Sequence, residues 1–168
     1  MHALYLMSVW LHILAASAWV GGMFFIVLVV VPWLRRGGRE PAGTFLRDTG
    51  ERFRAVGWTC FAVLLVTGSF NLWMRGVRLA DFLRPEWLSS PFGKTLLLKL
   101  AAFTLVLGIS VAHDFFVGPR ATRTLELDGR APESARFRRQ ASLLGRINAV
   151  LALAIVALAV MLVRGPPW

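Results

Sequence analysis

The sequence predicts an all-α integral membrane protein: a four-transmembrane-helix, up-and-down bundle with both termini outside. Three observations carry this. Four apolar runs, at residues 6–31, 55–74, 95–117 and 143–163, take up more than half of the 168-residue chain. Each matches the ~20 residues that cross a ~30 Å hydrocarbon core at 1.5 Å per residue. The runs are apolar all round, whereas helices of a soluble bundle would be striped. Finally, the arginines are unevenly shared among the connections.

The first run is too long for a cleaved signal peptide and is followed by Arg35-Arg36, a stop-transfer flank, so it reads as a retained helix. The first connection, 35–54, holds Gly37-Gly38 and Pro41-Ala42-Gly43. Its end, Glu51-Arg52-Phe53-Arg54, reads as a cytoplasmic extension of the second helix. The outer connection alternates apolar and charged residues through Leu79–Leu83 and Pro85-Glu86-Trp87-Leu88, as suits a segment lying at the interface. Ser89-Ser90-Pro91 offers a helix start before the third run. The third connection, 118–142, is the most hydrophilic stretch. Trp10, Trp33, Trp73, Trp87 and Trp168 fall at or near the boundaries, as in an aromatic belt.

Orientation follows from charge. Arg35, Arg36, Arg39, Arg47, Arg52 and Arg54 lie in the first connection, and Arg120, Arg123, Arg130, Arg136, Arg138 and Arg139 in the third, with Arg146 just beyond. Against these thirteen, the other side has Arg75, Arg78, Arg84, Lys94 and Arg164. The positive-inside rule puts connections one and three in the cytoplasm. The net charge of +10 therefore reads as a basic cytoplasmic rim that contacts anionic lipid, not as a nucleic-acid surface. One domain fills residues 1–168. The single cysteine, Cys60, sits inside the second run, which excludes an internal disulfide and reads as packing.

Ionisable groups inside a span are costly and mark functional candidates. His12 lies ~9 Å below the outer surface and Lys99 ~6 Å below it, in one layer. His113 and Asp114 sit ~27 Å along the third helix, near the cytoplasmic boundary. The ~18 Å of depth between His12 and His113 prevents them from clamping one haem iron or copper ion. His113 and Asp114 read as interfacial, with Asp114 paired to an arginine. Thr67 and Asn71 share a face of the second helix in its outer half. Ser8, His12, Ala15, Trp19, Gly22 and Met23 form a stripe on the first. The candidate cofactor-binding layer is therefore His12, Lys99, Asn71 and Thr67. The candidate metal ligands are His12, Met7, Met23 and Met161, with His2 a weaker addition near the N-terminus. The alternatives stand beside these: His12 as a hydrogen-bonding group between helices, Lys99 snorkelling outward, and the methionines as packing. Gly21-Gly22, Gly68 and Gly108 read as points of close helix approach. No acid–base pair lies at one depth for hydrolysis, so no catalytic residue is assigned. The chain is also too small for a full transporter with inverted repeats.

Three segments, in order, resemble the CopD-like copper-resistance membrane family. They are His12-Ile-Leu-Ala-Ala-Ser-Ala-Trp19-Val-Gly21-Gly22; Arg52-Phe53 with Leu64-Leu65-Val66-Thr67-Gly68 and Asn71-Leu72; and Pro91-Phe92-Gly93-Lys94 with Leu96-Leu97-Leu98-Lys99-Leu100. The resemblance implies a multi-pass protein of the bacterial inner membrane that handles or transports copper near the periplasmic face. Four helices alone could scarcely enclose a gated path, so transport would call for a homo-oligomer or a periplasmic copper-binding partner. His12, Trp19 and Gly22, with Lys99 on a later helix, are also similar to the HemJ-type family, whose members bind haem b. That similarity implies His12 as an axial ligand and a haem-dependent oxidoreductase as the enzymatic alternative. The stretch 28–34 lacks the arginine, tyrosine and second histidine expected there. A structural subunit of a larger membrane complex is the third reading.

Overall fold

In the computed structural model, which describes residues 1–36, 42–128 and 132–167, four helical rods account for nearly every described residue. The first is helix α1 (His2–Phe25), a π-helical turn (Ile26–Val30) and α2 (Val31–Arg36). The second is α3 (Ala42–Met74). A 3-10 turn (Leu79–Leu83) and α4 (Pro85–Ser89) lie across the outer end. The third rod is α5 (Pro91–Val111), a π-helical turn (Ala112–Val117) and α6 (Gly118–Asp128). The last is α7 (Pro132–Arg164). Each rod contains a stretch long and apolar enough to span a membrane. The helices run beyond the apolar runs, because both basic connections are themselves largely helical. Gly37, Gly38, Arg39, Pro41, Arg130 and Trp168 lie outside the described residues.

Local chemistry explains the ends. Ser90 caps α5: its hydroxyl accepts from the Gly93 N–H at 3.0 Å, with Pro91 at the first helical position. At the end of α3, Val77 N–H bonds Leu72 O, and Gly76 N–H bonds Trp73 O. Gly76 takes φ +84°, the left-handed step of a Schellman close. Both π turns precede a proline, Pro32 and Pro119. Val31 and Gly118 donate to the carbonyls five residues back, Ile26 O and His113 O. A proline ring clashes with the carbonyl four residues before it. Widening the preceding turn relieves that clash and lets the rod continue.

The rods pair as α1 on α3 and α5 on α7, and the pairs join at the arginine-rich end, where α6 meets both α3 and α7. Between α5 and α7 the fit is tight: Val106 and Ala152 are fully buried. Asn148 Nδ2 donates to Ser110 Oγ at 3.0 Å across that seam. Leu28, Val66, Val150 and Val160 face outward, as lipid-facing positions require. At mid-depth an aromatic layer fills the space between the pairs. Trp19 and Trp58 both pack on Phe61, and Phe61 meets Phe103 edge-on at 5.9 Å. Gly22 makes room for Phe53, as the close-approach reading expects. Gly21 and Gly108 face open space instead, so that reading fails for them.

Candidate functional site

One face of α3 and one face of α5 oppose each other in antiparallel register. On α3 the stripe runs outward through Arg54, Trp58 and Phe61; beyond it Thr67, Asn71 and Arg75 share a second face, which meets α1 at Thr67. On α5 and its π turn it runs inward through Phe92, Leu96, Lys99, Phe103, Val106, Ser110 and Asp114. The aromatic layer divides the space into an outer and an inner polar site.

The outer site is built around His12. Its Nδ1 lies 2.8 Å from Thr67 Oγ1, whose own proton goes to Val63 O at 2.6 Å. A threonine hydroxyl has one proton, so it can only accept from the imidazole. The network therefore assigns the proton to Nδ1 and leaves Nε2 with a free lone pair. Gly68 lets the ring approach, since a Cβ there would stand 3.3 Å from His12 Cε1. Ser8 Oγ reaches Thr67 O at 3.4 Å, one turn further out along α1. Lys99 is in electrostatic range of His12, and Arg75 of Lys99. Asn71 Oδ1 is buried with no hydrogen-bond partner.

The structure thus joins His12 to Thr67, with Lys99 in electrostatic range of His12 and Asn71 one turn outward on the Thr67 face of α3. It does not bring all the methionines to them. Met7 faces out of the bundle at 54% exposure, and Met23 is packed in the core, ~16 Å along the helix from His12. Met161 is half-buried; its neighbour Leu162 offers its carbonyl to Arg75 Nη1 at 3.5 Å, which sets Met161 near the outer mouth. Among the described residues no three of His, Cys, Asp and Glu converge.

The inner site lies at the arginine-rich end. Asp114 takes Trp58 Nε1–H on Oδ2 at 3.2 Å and pairs with His113 Nδ1 through Oδ1 at 2.9 Å. Arg54 donates to the Asp114 backbone oxygen at 3.2 Å and lies over the Phe115 ring. The expected pairing of the Asp114 carboxylate with an arginine is not formed among the described residues: Arg54 binds the carbonyl, while an indole and an imidazole hold the carboxylate. Arg54, Trp58, Arg75, Ser110 and Asn148 escaped the sequence reading. A signal was present for Arg75, which extends the Thr67–Asn71 spacing by one more turn. His12 docks on Thr67 and Asp114 on Trp58, nine residues down α3 or ~13 Å, so the two histidines serve separate sites.

The sequence profile described as CopD, copper resistance protein D, matches residues 47–162. The chain belongs to that family. The match takes in Thr67, Asn71, Arg75, Lys99 and the inner site, while His12 comes from the helix before it. One of two relatives extends further. An uncharacterised protein of Aquifex aeolicus (strain VF5) is 30% identical over 156 residues, 92% of each chain. The copper transport protein CutJ of Bacillus subtilis (strain 168) is 31% identical over 114 residues, 68% of this chain. Those residues make up 19% of CutJ, so the CopD region here corresponds to a part of that larger protein. No solved structure matches.

Proposed function

We propose that this CopD-family protein handles copper at the outer face of a bacterial inner membrane, passing the ion as cargo through the layer that holds His12. The observation that carries the reading is the His12–Thr67 bond, which fixes the tautomer and leaves Nε2 open toward a ligand. A neutral imidazole whose other nitrogen is anchored is the ordinary form of a histidine metal ligand, and imidazole with thioether suits Cu(I). Met161 at the mouth supplies a thioether where copper would arrive, and a periplasmic copper-binding partner or a second copy would complete the ligand set. The basic cytoplasmic rim would rest on anionic lipid. The membership and the CutJ likeness support copper as the cargo.

The test is Cu(I) binding to the purified protein, by competition with a chromophoric chelator. Wild type is expected to take up Cu(I), and His12→Ala to lose it while Ser8→Ala retains it. Equal binding by His12→Ala would end the reading.

Haem b is the second reading, favoured by the basic groups beside His12. The same Nε2 would be an axial ligand, Lys99 would face a propionate, and the haem would bring redox chemistry. A Soret band in the purified protein, lost in His12→Ala, would decide for haem; a featureless spectrum from haem-replete cells would decide against it.

A further inference from the structure

The outer site has positive charge with nothing to balance it. Lys99 is half-buried within a span and has no hydrogen-bond or ion-pair partner among the described residues. The groups in electrostatic range of it are His12 on one side and Arg75 on the other. No carboxylate lies in the outer half of any span. Asp81 and Glu86, in the outer connection, are the nearest in sequence. Asp81 is already engaged, accepting from Arg78 N–H at 2.8 Å and pairing with Arg84 at 3.4 Å. A cation held inside a bilayer is ordinarily paired with an acid or a carbonyl. Here a partner from outside the chain is called for.

The space for one is present. A cavity of about 510 Å³ opens at the outer end, lined by Arg75, Gly76, Val77, Asp81, Trp87 and Phe92. Phe92 is seven residues before Lys99, two turns outward on the same face of α5. Phe103 is one turn inward of Lys99 and meets Phe61. Lys99 thus lies about 10 Å inward of Phe92 along α5, below a cavity that has Arg75 in its wall. Its walls at the mouth, Val77, Trp87 and Phe92, suit an apolar body, and the two cations suit an oxyanion, which a guanidinium binds through two N–H groups.

We propose that this cavity binds the oxyanion of a phosphate-bearing ligand, with Arg75 taking it at the mouth and Lys99 drawing it inward. The phosphate comes from a lipid headgroup whose chains lie along Trp87 and Phe92, or from the free ion. The site stands beside the copper reading, in which neither Arg75 nor Lys99 is a ligand; in the haem reading Lys99 would instead face a propionate.

The experiment is native mass spectrometry of the full chain in detergent. It is titrated separately with dioleoyl phosphatidylglycerol, dioleoyl phosphatidylcholine and inorganic phosphate. Wild type is compared with Lys99→Met, Arg75→Gln, Lys99→Arg and, as a control at the cytoplasmic rim, Arg139→Gln. One tightly held phosphatidylglycerol, at least tenfold weaker in Lys99→Met and Arg75→Gln but kept in Lys99→Arg and Arg139→Gln, supports the lipid source. The same variant pattern with inorganic phosphate supports the free ion. Equal binding by wild type, Lys99→Met and Arg75→Gln for both phosphate probes overturns the site, as does binding of phosphatidylcholine as tight as phosphatidylglycerol. Lys99→Arg reports whether a loss reflects charge or folding, since it keeps the cation.

Discussion

Arg54 Nη1 donates to the backbone oxygen of Asp114 at 3.2 Å, tying the second span to the third through a carbonyl that the third cannot bond internally. In the π turn Gly118 N–H bonds His113 O, five residues back. The next donor in that pattern would be residue 119, and Pro119 has no N–H. Asp114 O is therefore short of a helical donor, and Arg54 supplies one. A hydrogen bond from a charged donor contributes ~1.5–3 kcal/mol. Arg54→Leu is expected to lower unfolding stability in detergent by about 2 kcal/mol, with partial recovery in Arg54→Lys. An Arg54→Leu protein as stable as wild type would show that the carbonyl is satisfied by other means.

Gly118 should be as intolerant as Arg54, for a related reason. In the π turn a Cβ at residue 118 would stand 2.9 Å from His113 O, a backbone atom that cannot swing aside. Gly118→Ala must shift the turn and with it Asp114, and is expected to cost about 1–3 kcal/mol as an overpacking substitution. Trp58 emission reports the shift, because its indole N–H is bonded to Asp114. Gly21→Ala, where a Cβ meets nothing, is the matched control and should be neutral.

At the outer end Gly93 occupies a comparable position. An added Cβ would run into the Trp87 carbonyl, at the junction where α4 turns into α5. Ser90 caps α5 there, through the N–H of Gly93 itself. Gly93→Ala should disturb cap and junction together, and the cost should exceed the ~1 kcal/mol of losing the cap alone in Ser90→Ala. Thermal unfolding of the two variants side by side checks the order.

How much of this was open to sequence reading depended on the range of the interaction. The spans and the Ser90 cap rest on local chemistry: run length, a hydroxyl before a proline, and i, i+4 spacing. The His12 layer was also readable, because one helical rise fixes the depth of every residue on a straight rod. The inner site was harder to see. Arg54 binds Asp114 only because two rods meet at the arginine-rich end and Pro119 widens a turn, and neither fact is written in a single segment. Ser110 and Asn148 are unremarkable in sequence and meet only once α5 pairs with α7. Met23 shares a stripe with His12, yet the same periodicity that aligns them separates them by three turns, into the core.

The arrangement of the rods makes a prediction about sidedness. Four rods joined at alternate ends put residues 1 and 167 at one end and the arginine-rich connections at the other. In a Cys60→Ala background, Gly165→Cys is expected to react with a membrane-impermeant maleimide added outside intact cells. Asp48→Cys, on the opposite side, should react only after the membrane is opened. Cys60 itself is buried in the core beside Phe61 and should stay unlabelled in the native protein. Labelling of residue 48 from outside would invert the charge-based orientation.

Thr67 gives the most direct test of how the outer site is set. Its hydroxyl is spent on Val63 O, so what it offers His12 is an acceptor that holds the proton on Nδ1. Thr67→Val keeps the shape of the side chain and removes that acceptor. The imidazole can then protonate either nitrogen and turn, while Nε2 remains available part of the time. Loss of such a partner typically lowers metal affinity 10–100-fold. Thr67→Val is therefore expected to bind Cu(I) roughly tenfold more weakly than wild type, between wild type and the non-binding His12→Ala. A Thr67→Val protein indistinguishable from wild type would mean that the bond does not orient a ligand and serves only to join α1 to α3. In that case His12→Ala should show a loss of stability, with Cu(I) binding unchanged.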